Sequence, residues 1–155
     1  MSNAEKKLSE MGYVLPDPPS PLANYSPGYR SGNLVFLSGV GPRSSTGDSI
    51  TGKLGKDLTV EQGYEAARLC GLNLLANLKL IIGDLDKVDH IVKVLGMVNS
   101  APDFGQQPDV INGCSDLLVG VFAEKGKHGR SAVGMNALPH GIAVEVEMIV
   151  EVRDS

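Results

Sequence analysis

Over residues 142–152 the chain alternates in two-residue register. Val144, Val146, Met148, Val150 and Val152 form one set, and Ala143, Glu145, Glu147, Ile149 and Glu151 the other. A helix, turning about 100° per residue, would scatter the first set around its circumference, whereas a strand gathers it on one face. The segment is therefore read as a strand with a wholly aliphatic face, and the rest of the chain must cover that face. The opposite face mixes carboxylates with Ala143 and Ile149. A second subunit, enclosing a partly polar interface, explains that mixture better than bare solvent.

Two amphipathic helices are available as cover. Thr59-Val60-Glu61-Gln62 has the form of a capping box, in which the Thr hydroxyl and the Gln amide satisfy backbone groups left unpaired at a helix start. Behind it Tyr64, Ala67, Gly71, Leu74, Leu75, Leu78 and Ile81 recur at helical spacing, and Gly83 supplies a C-terminal cap. A second helix is predicted over residues 109–123, with Val110, Cys114, Leu117, Val121 and Phe122 on one stripe.

Further strands complete a sheet. Arg30-Ser31-Gly32-Asn33 is a turn signal before the apolar run 34–39, which predicts a hairpin; residues 41–57 read as a loop or a short irregular strand. Residues 90–98, rich in Val, Ile and Leu on both alternating sets, predict a central strand covered on both sides. Residues 130–135 and 142–152, joined through Ala137-Leu138-Pro139-His140-Gly141, predict a second hairpin. Folded about Leu138 and Pro139, it sets Ala132 opposite Glu145 and Arg130 opposite Glu147 on one face, about 5 Å apart. The order strands, helix, strand, helix, strands fits an α+β fold, an open mixed sheet with both helices on one face. Residues 1–20 are read as an N-terminal extension and 21–155 as one domain. The five prolines within residues 16–27 make the approach to that domain an extended lead-in.

Composition narrows the function classes. A net charge of -4 with scattered lysines and arginines, seven aromatics and no Trp offers neither a basic patch nor stacking platforms, which counts against nucleic acid. No apolar run is long enough for a membrane span, and residues 1–10 lack a signal-peptide core, so a cytoplasmic location is expected. Cys70 and Cys114 fall within helical patterns as buried thiols of a reducing compartment would. His90, His128 and His140 have no metal-ligand spacing, so neither a metal nor any other cofactor is expected. Gly39-Val40-Gly41-Pro42 follows a strand, but Pro42 removes the helix start a dinucleotide fingerprint needs. Ser38 lacks a nucleophile-elbow setting, and no Ser/His/Asp set can be ordered from the sequence.

Arg130 carries the most information. At the start of a strand its rigid fork suits a carboxylate ligand; equally, it is a surface arginine or the partner of Glu147. Glu145 and Glu147, projecting the same way, suit acid/base work or the orientation of Arg130, and also the bland role of carboxylates on an exposed strand face.

Over residues 21–152 these features resemble the YjgF/RidA family, also called the endoribonuclease L-PSP family. The match rests on Gly129-Arg130-Ser131-Ala132-Val133, then Ala137-Leu138-Pro139, then Ile142-Ala143-Val144-Glu145-Val146-Glu147. Tyr25, the strand ending Leu37-Ser38-Gly39, and Val110-Ile111-Asn112 fall where the family places matching residues. The resemblance implies a chorismate-mutase-like homotrimer with clefts between subunits. It implies that Arg130 clamps a substrate carboxylate and Glu145 positions water, while Tyr25, Ser38, Gly39 and Asn112 line or support the cleft. The implied activity is hydrolysis of small carboxylate-bearing enamines and imines such as 2-aminoacrylate. Ala132 stands in the pocket wall where RidA proteins usually have Cys, Val40 replaces a common Gln, and the N-terminal segment is longer than usual. The alternatives are a non-catalytic binder of small 2-oxo or amino acids and, ranked lower, a ribonuclease, which the acidic composition disfavours.

Overall fold

The computed structural model describes residues 1–18 and 26–154. The capping box at Thr59 forms as its spelling requires: Thr59 Oγ1 accepts from Gln62 N at 3.2 Å and Gln62 Oε1 accepts from Thr59 N at 2.8 Å. An N-terminal helix described below is α1 (Asn3–Glu10), so the capped helix is α2 (Val60–Ile82), and it ends at Gly83 with φ 84°. The predicted second helix is α3 (Gln107–Phe122), with Pro108 in its first turn where a missing N–H is harmless. α2 and α3 approach so closely that a Cβ on Gly113 would lie 2.0 Å from the Tyr64 carbonyl oxygen. Only glycine fits there.

The sheet contains β1 (Gly28–Ser31), β2 (Leu34–Leu37), β3 (Val88–Asn99), β4 (Gly129–Met135) and β5 (Val144–Val152) in the order β1-β2-β5-β3-β4. The first hairpin forms about Gly32-Asn33, with Ser31 opposite Leu34 and Gly32 at φ 59°. Residues 41–57 are largely loop, with isolated bridges at Arg43–Ser49 and Thr51–Ile142. β5 buries Val144, Val146, Met148, Val150 and Val152 against the helices, joining Leu74, Leu75, Leu78, Ile111 and Leu118 in one core. β3 buries Ile91, Val94 and Val98, whereas Lys93 and Leu95 on its second face are only part-covered within the chain.

The second hairpin does not form. β4 runs parallel to β3, with Arg130 opposite Val94 and Val133 opposite Met97, and β3 separates it from β5. The cause is topological: α3 supplies the long crossover that a parallel pair requires, so β4 can take the edge beside β3. The Leu138-Pro139 signal is used instead in the short helical turn Pro139–Gly141. That connection passes the end of β3, where Asn99 holds it: Asn99 N donates to Ala143 O at 2.9 Å and Nδ2 to Ile142 O at 3.1 Å.

The register reassigns the faces. Val94 pairs with both Arg130 and Met148, placing Arg130, and two residues on Ala132, on the helix-covered face. Met97 pairs with both Val133 and Glu145, placing Glu145 and Glu147 on the uncovered face. The expected Arg130–Glu147 and Ala132–Glu145 pairs are therefore absent. Tyr29 and Phe36, which are paired with each other, and Val133 share the uncovered face and remain 73%, 42% and 39% exposed.

A third helix joins the two expected. Ser2 and Glu5 close a capping box on α1, and Ala4 and Leu8 enter the core. Lys79 Nζ meets Glu5 Oε1 at 2.5 Å, and the N–H groups of Asn3 and Ala4 donate to the Asp86 carboxylate at 2.8 and 3.0 Å. The first part of the segment read as an extension thus packs on the same core. Among the described residues, no helix is long and apolar enough to cross a membrane.

Candidate functional site

Two groups of the expected residues are brought together, on opposite faces of the sheet. The first surrounds Arg130. Asn112 and Ser115 lie one turn apart on α3 and share a flank of the helix. Arg130 Nη1 donates to Asn112 Oδ1 at 2.8 Å and to Ser115 Oγ at 3.1 Å. Both hydrogens of that nitrogen are thereby used. Among the described residues, the structure gives neither Nε nor Nη2 a hydrogen-bond partner. These are the two parallel donors of the guanidinium's side-on edge, the geometry that binds a carboxylate bidentately.

Behind Ser115 stands His128, whose Nε2 lies 2.9 Å from Ser115 Oγ and whose Nδ1 lies 2.6 Å from the Gly126 carbonyl oxygen. Burial lowers the His128 pKa; the bond to Gly126 opposes this, while Arg130 and His90 add to it. The Cys114 thiol is pushed up to about 12 by burial, with Arg130 opposing, so it stays protonated and inert at neutral pH. Ala132 packs against the core beside this group.

The second group forms where β2 runs out beside β5. Val40 and Val146 exchange backbone hydrogen bonds at 3.0 Å, which draws Gly39 against Glu145. The approach is close enough that a Cβ on Gly39 would stand 2.5 Å from Glu145 Oε2. Burial, and secondarily the charge of Glu147, raises the Glu145 pKa, so its carboxyl exchanges a proton closer to neutrality than an ordinary glutamate. Ser38 ties the same corner together: its N–H donates to Pro27 O at 3.0 Å and its hydroxyl to Ser26 O at 2.6 Å. Tyr25 lies outside the described residues.

Arg130 and Glu145 are not brought together within one chain. Two strand spacings and a three-residue offset separate their backbones by roughly 14 Å, and the sheet lies between their side chains. Sequence reasoning missed Ser115 and His128. The three-residue step from Asn112 to Ser115 and the two-residue step from His128 to Arg130 were visible, but the phase of α3 against β4 was not.

The comparisons with known proteins agree with this architecture. Residues 5–152 match the family described as "YjgF/chorismate_mutase-like, putative endoribonuclease". Protein TCP17 of Trypanosoma cruzi is 43% identical over 148 residues, covering 95% of this chain and 92% of that protein. A 2-iminobutanoate/2-iminopropanoate deaminase of Dermatophagoides farinae is 27% identical over 137 residues, covering 87% of this chain and 91% of its own length. Among solved structures, protein Atu1372 of Agrobacterium tumefaciens, of unknown function, superposes with a TM-score of 0.90 at 43% identity, covering 97% of this chain and 94% of that one. Matched over nearly its whole length, and carrying the α+β architecture expected from its order of elements, the chain belongs to the YjgF/chorismate-mutase-like family.

Proposed function

We propose that the protein hydrolyses small reactive imines and enamines that bear a carboxylate, in clefts between the subunits of a homotrimer. The observation that carries this reading is the side-on edge of Arg130, whose two donors have no partner among the described residues while Nη1 is held by Asn112 and Ser115. The deaminase relative supports the choice of chemistry. Because the Gly39–Glu145 corner lies across the sheet from Arg130 in one chain, the complete site joins the Arg130 edge of one subunit to that corner of its neighbour. The exposed Tyr29, Phe36 and Val133 beside the Glu145 face supply apolar area for such an interface.

In this scheme Arg130 fixes the substrate carboxylate and thereby the position of the C=N carbon. Glu145 takes a proton from water as its oxygen adds to that carbon, giving a carbinolamine. The proton passes to the amine nitrogen, the C–N bond breaks, and the hydroxyl proton leaves as the C=O forms. Imine and water become 2-oxo acid and ammonia, with no electron acceptor needed. A protonated imine is already strongly electrophilic, so orientation and modest proton transfer suffice.

The test is ammonia release from 2-iminopropanoate generated in place, coupled to a dehydrogenase, with light scattering on the same sample. Acceleration by a trimer is the expected result. A second reading follows from the separation of Arg130 and Glu145: a chain that stays monomeric keeps the carboxylate clamp alone and is a binder of small 2-oxo acids. Binding of pyruvate without any acceleration of hydrolysis establishes that reading in place of the first.

A further inference from the structure

The hydrogen bonds behind Arg130 have directions that can be assigned. The Gly126 carbonyl can only accept, so its 2.6 Å contact requires a proton on Nδ1 of His128. In the neutral ring Nε2 is then bare, and it accepts from the Ser115 hydroxyl at 2.9 Å. Ser115 Oγ, its hydrogen committed to His128, offers a lone pair to Nη1 of Arg130 at 3.1 Å. The chain from Gly126 to the guanidinium thus runs one way, with Asn112 Oδ1 holding the second hydrogen of the same nitrogen. A carboxylate acting as the backing group would neutralise the guanidinium; here the backing consists of a hydroxyl, an amide oxygen and an imidazole, which orient the charge and leave it intact.

We propose that Ser115 and His128 are positioning residues that hold Arg130 for an anion and couple anion binding at its open edge to the proton on His128. This rests on the reading of Arg130 as the carboxylate-binding group. When His128 gains a second proton, Nε2 becomes a donor to Ser115 Oγ, which then accepts from both His128 and Arg130. Its own hydrogen is released, and a second positive charge stands two hydrogen bonds from the guanidinium. The groups that bear on the ring are the charged Arg130 on β4 and the titratable His90 on β3, and both disfavour that proton. Among the described residues no carboxylate contributes to the pKa shift of the ring: its causes are burial, the Gly126 carbonyl, Arg130 and His90. An arriving carboxylate is therefore the missing counter-charge. By linkage the bound anion raises the His128 pKa, and protonation of His128 tightens the anion.

The test follows His128 by NMR in the full-length protein across pH, with and without saturating pyruvate, beside pyruvate calorimetry at each pH. The free protein should show the Nδ1–H tautomer. Pyruvate should move the His128 midpoint upward, and its affinity should rise about fivefold as pH falls through that midpoint. His128→Gln should flatten the pH profile, Ser115→Ala should uncouple it, and Ser115→Thr should restore it. An unmoved midpoint while pyruvate binds in an Arg130-dependent manner overturns the relay and leaves the carboxylate reading standing. If pyruvate does not bind at all, the carboxylate reading fails alone. The relay is then decided by the tautomer and by Arg130→Gln: an upward His128 shift in that variant supports it, and an Nε2–H tautomer or an unmoved midpoint overturns it.

Discussion

Replacing Gly39 with alanine tests the role assigned to Glu145 without touching its carboxyl group. The new methyl carbon would lie 2.5 Å from Glu145 Oε2, with Cδ and Cγ at 3.2 and 3.3 Å. An ordinary contact requires the carboxylate to retreat by roughly 1 Å. The obstacle is the far end of a flexible side chain, and Gly39 is not among the glycines at positive φ, so alanine is compatible with its backbone. The change in stability should stay below about 1 kcal/mol. A misplacement of that size at a group that orients water can lower turnover about 100-fold. The assay pairs ammonia release with thermal melting, using Gly105→Ala as control because nothing lies within 4 Å of a Cβ there. An intact fold, a crystallographically displaced Glu145 and an unchanged kcat together would remove Glu145 from the chemistry.

Four other outcomes follow from the same structure. Glu145→Gln should lower kcat by about 10²- to 10⁴-fold with little change in pyruvate affinity measured by calorimetry. The same variant should raise the melting temperature at neutral pH but not below about pH 4, where the carboxyl is protonated folded and unfolded; the raised folded pKa means that stability is lost as pH rises through it, and a gain equal at both pH values contradicts this. Arg130→Lys should weaken pyruvate nearly as much as Arg130→Ala, since one ammonium cannot replace two parallel donors, and an unchanged affinity in the Ala variant takes Arg130 out of the site. Gly113→Ala, whose Cβ would stand 2.0 Å from the Tyr64 carbonyl oxygen, should lower the melting temperature by roughly 5 °C or more by forcing α2 from α3.

What the sequence disclosed was local. The Thr59–Gln62 box, the Gly83 cap, the Gly32-Asn33 hairpin and the alternation of β5 each depend on residues within a few positions of one another, and each appears where the spelling puts it. The short helix α1 was equally local, with Ser2 and Glu5 forming its box and Ala4 and Leu8 its buried stripe, but a single apolar pair over eight residues is too faint a period to stand out.

The sequence named candidate residues but not how they are arranged, for one reason. Arg130 reads as adjacent to Glu147 only if β4 and β5 form a hairpin, and nothing between residues 135 and 144 distinguishes a hairpin turn from a loop that passes the end of a third strand. The deciding residues lie far away: α3 makes β4 parallel to β3, and Asn99 receives the returning chain. Once β4 is set at the edge with Arg130 opposite Val94, its guanidinium meets α3 and the carboxylates of β5 face the other way. The parallel register therefore both supplies Ser115 and His128 as backing for Arg130 and withholds Glu145 from it. Under the proposed scheme a second subunit is required for hydrolysis and dispensable for the proton coupling, so a monomerising substitution on the exposed face should abolish ammonia release while leaving the His128 shift with pyruvate in place.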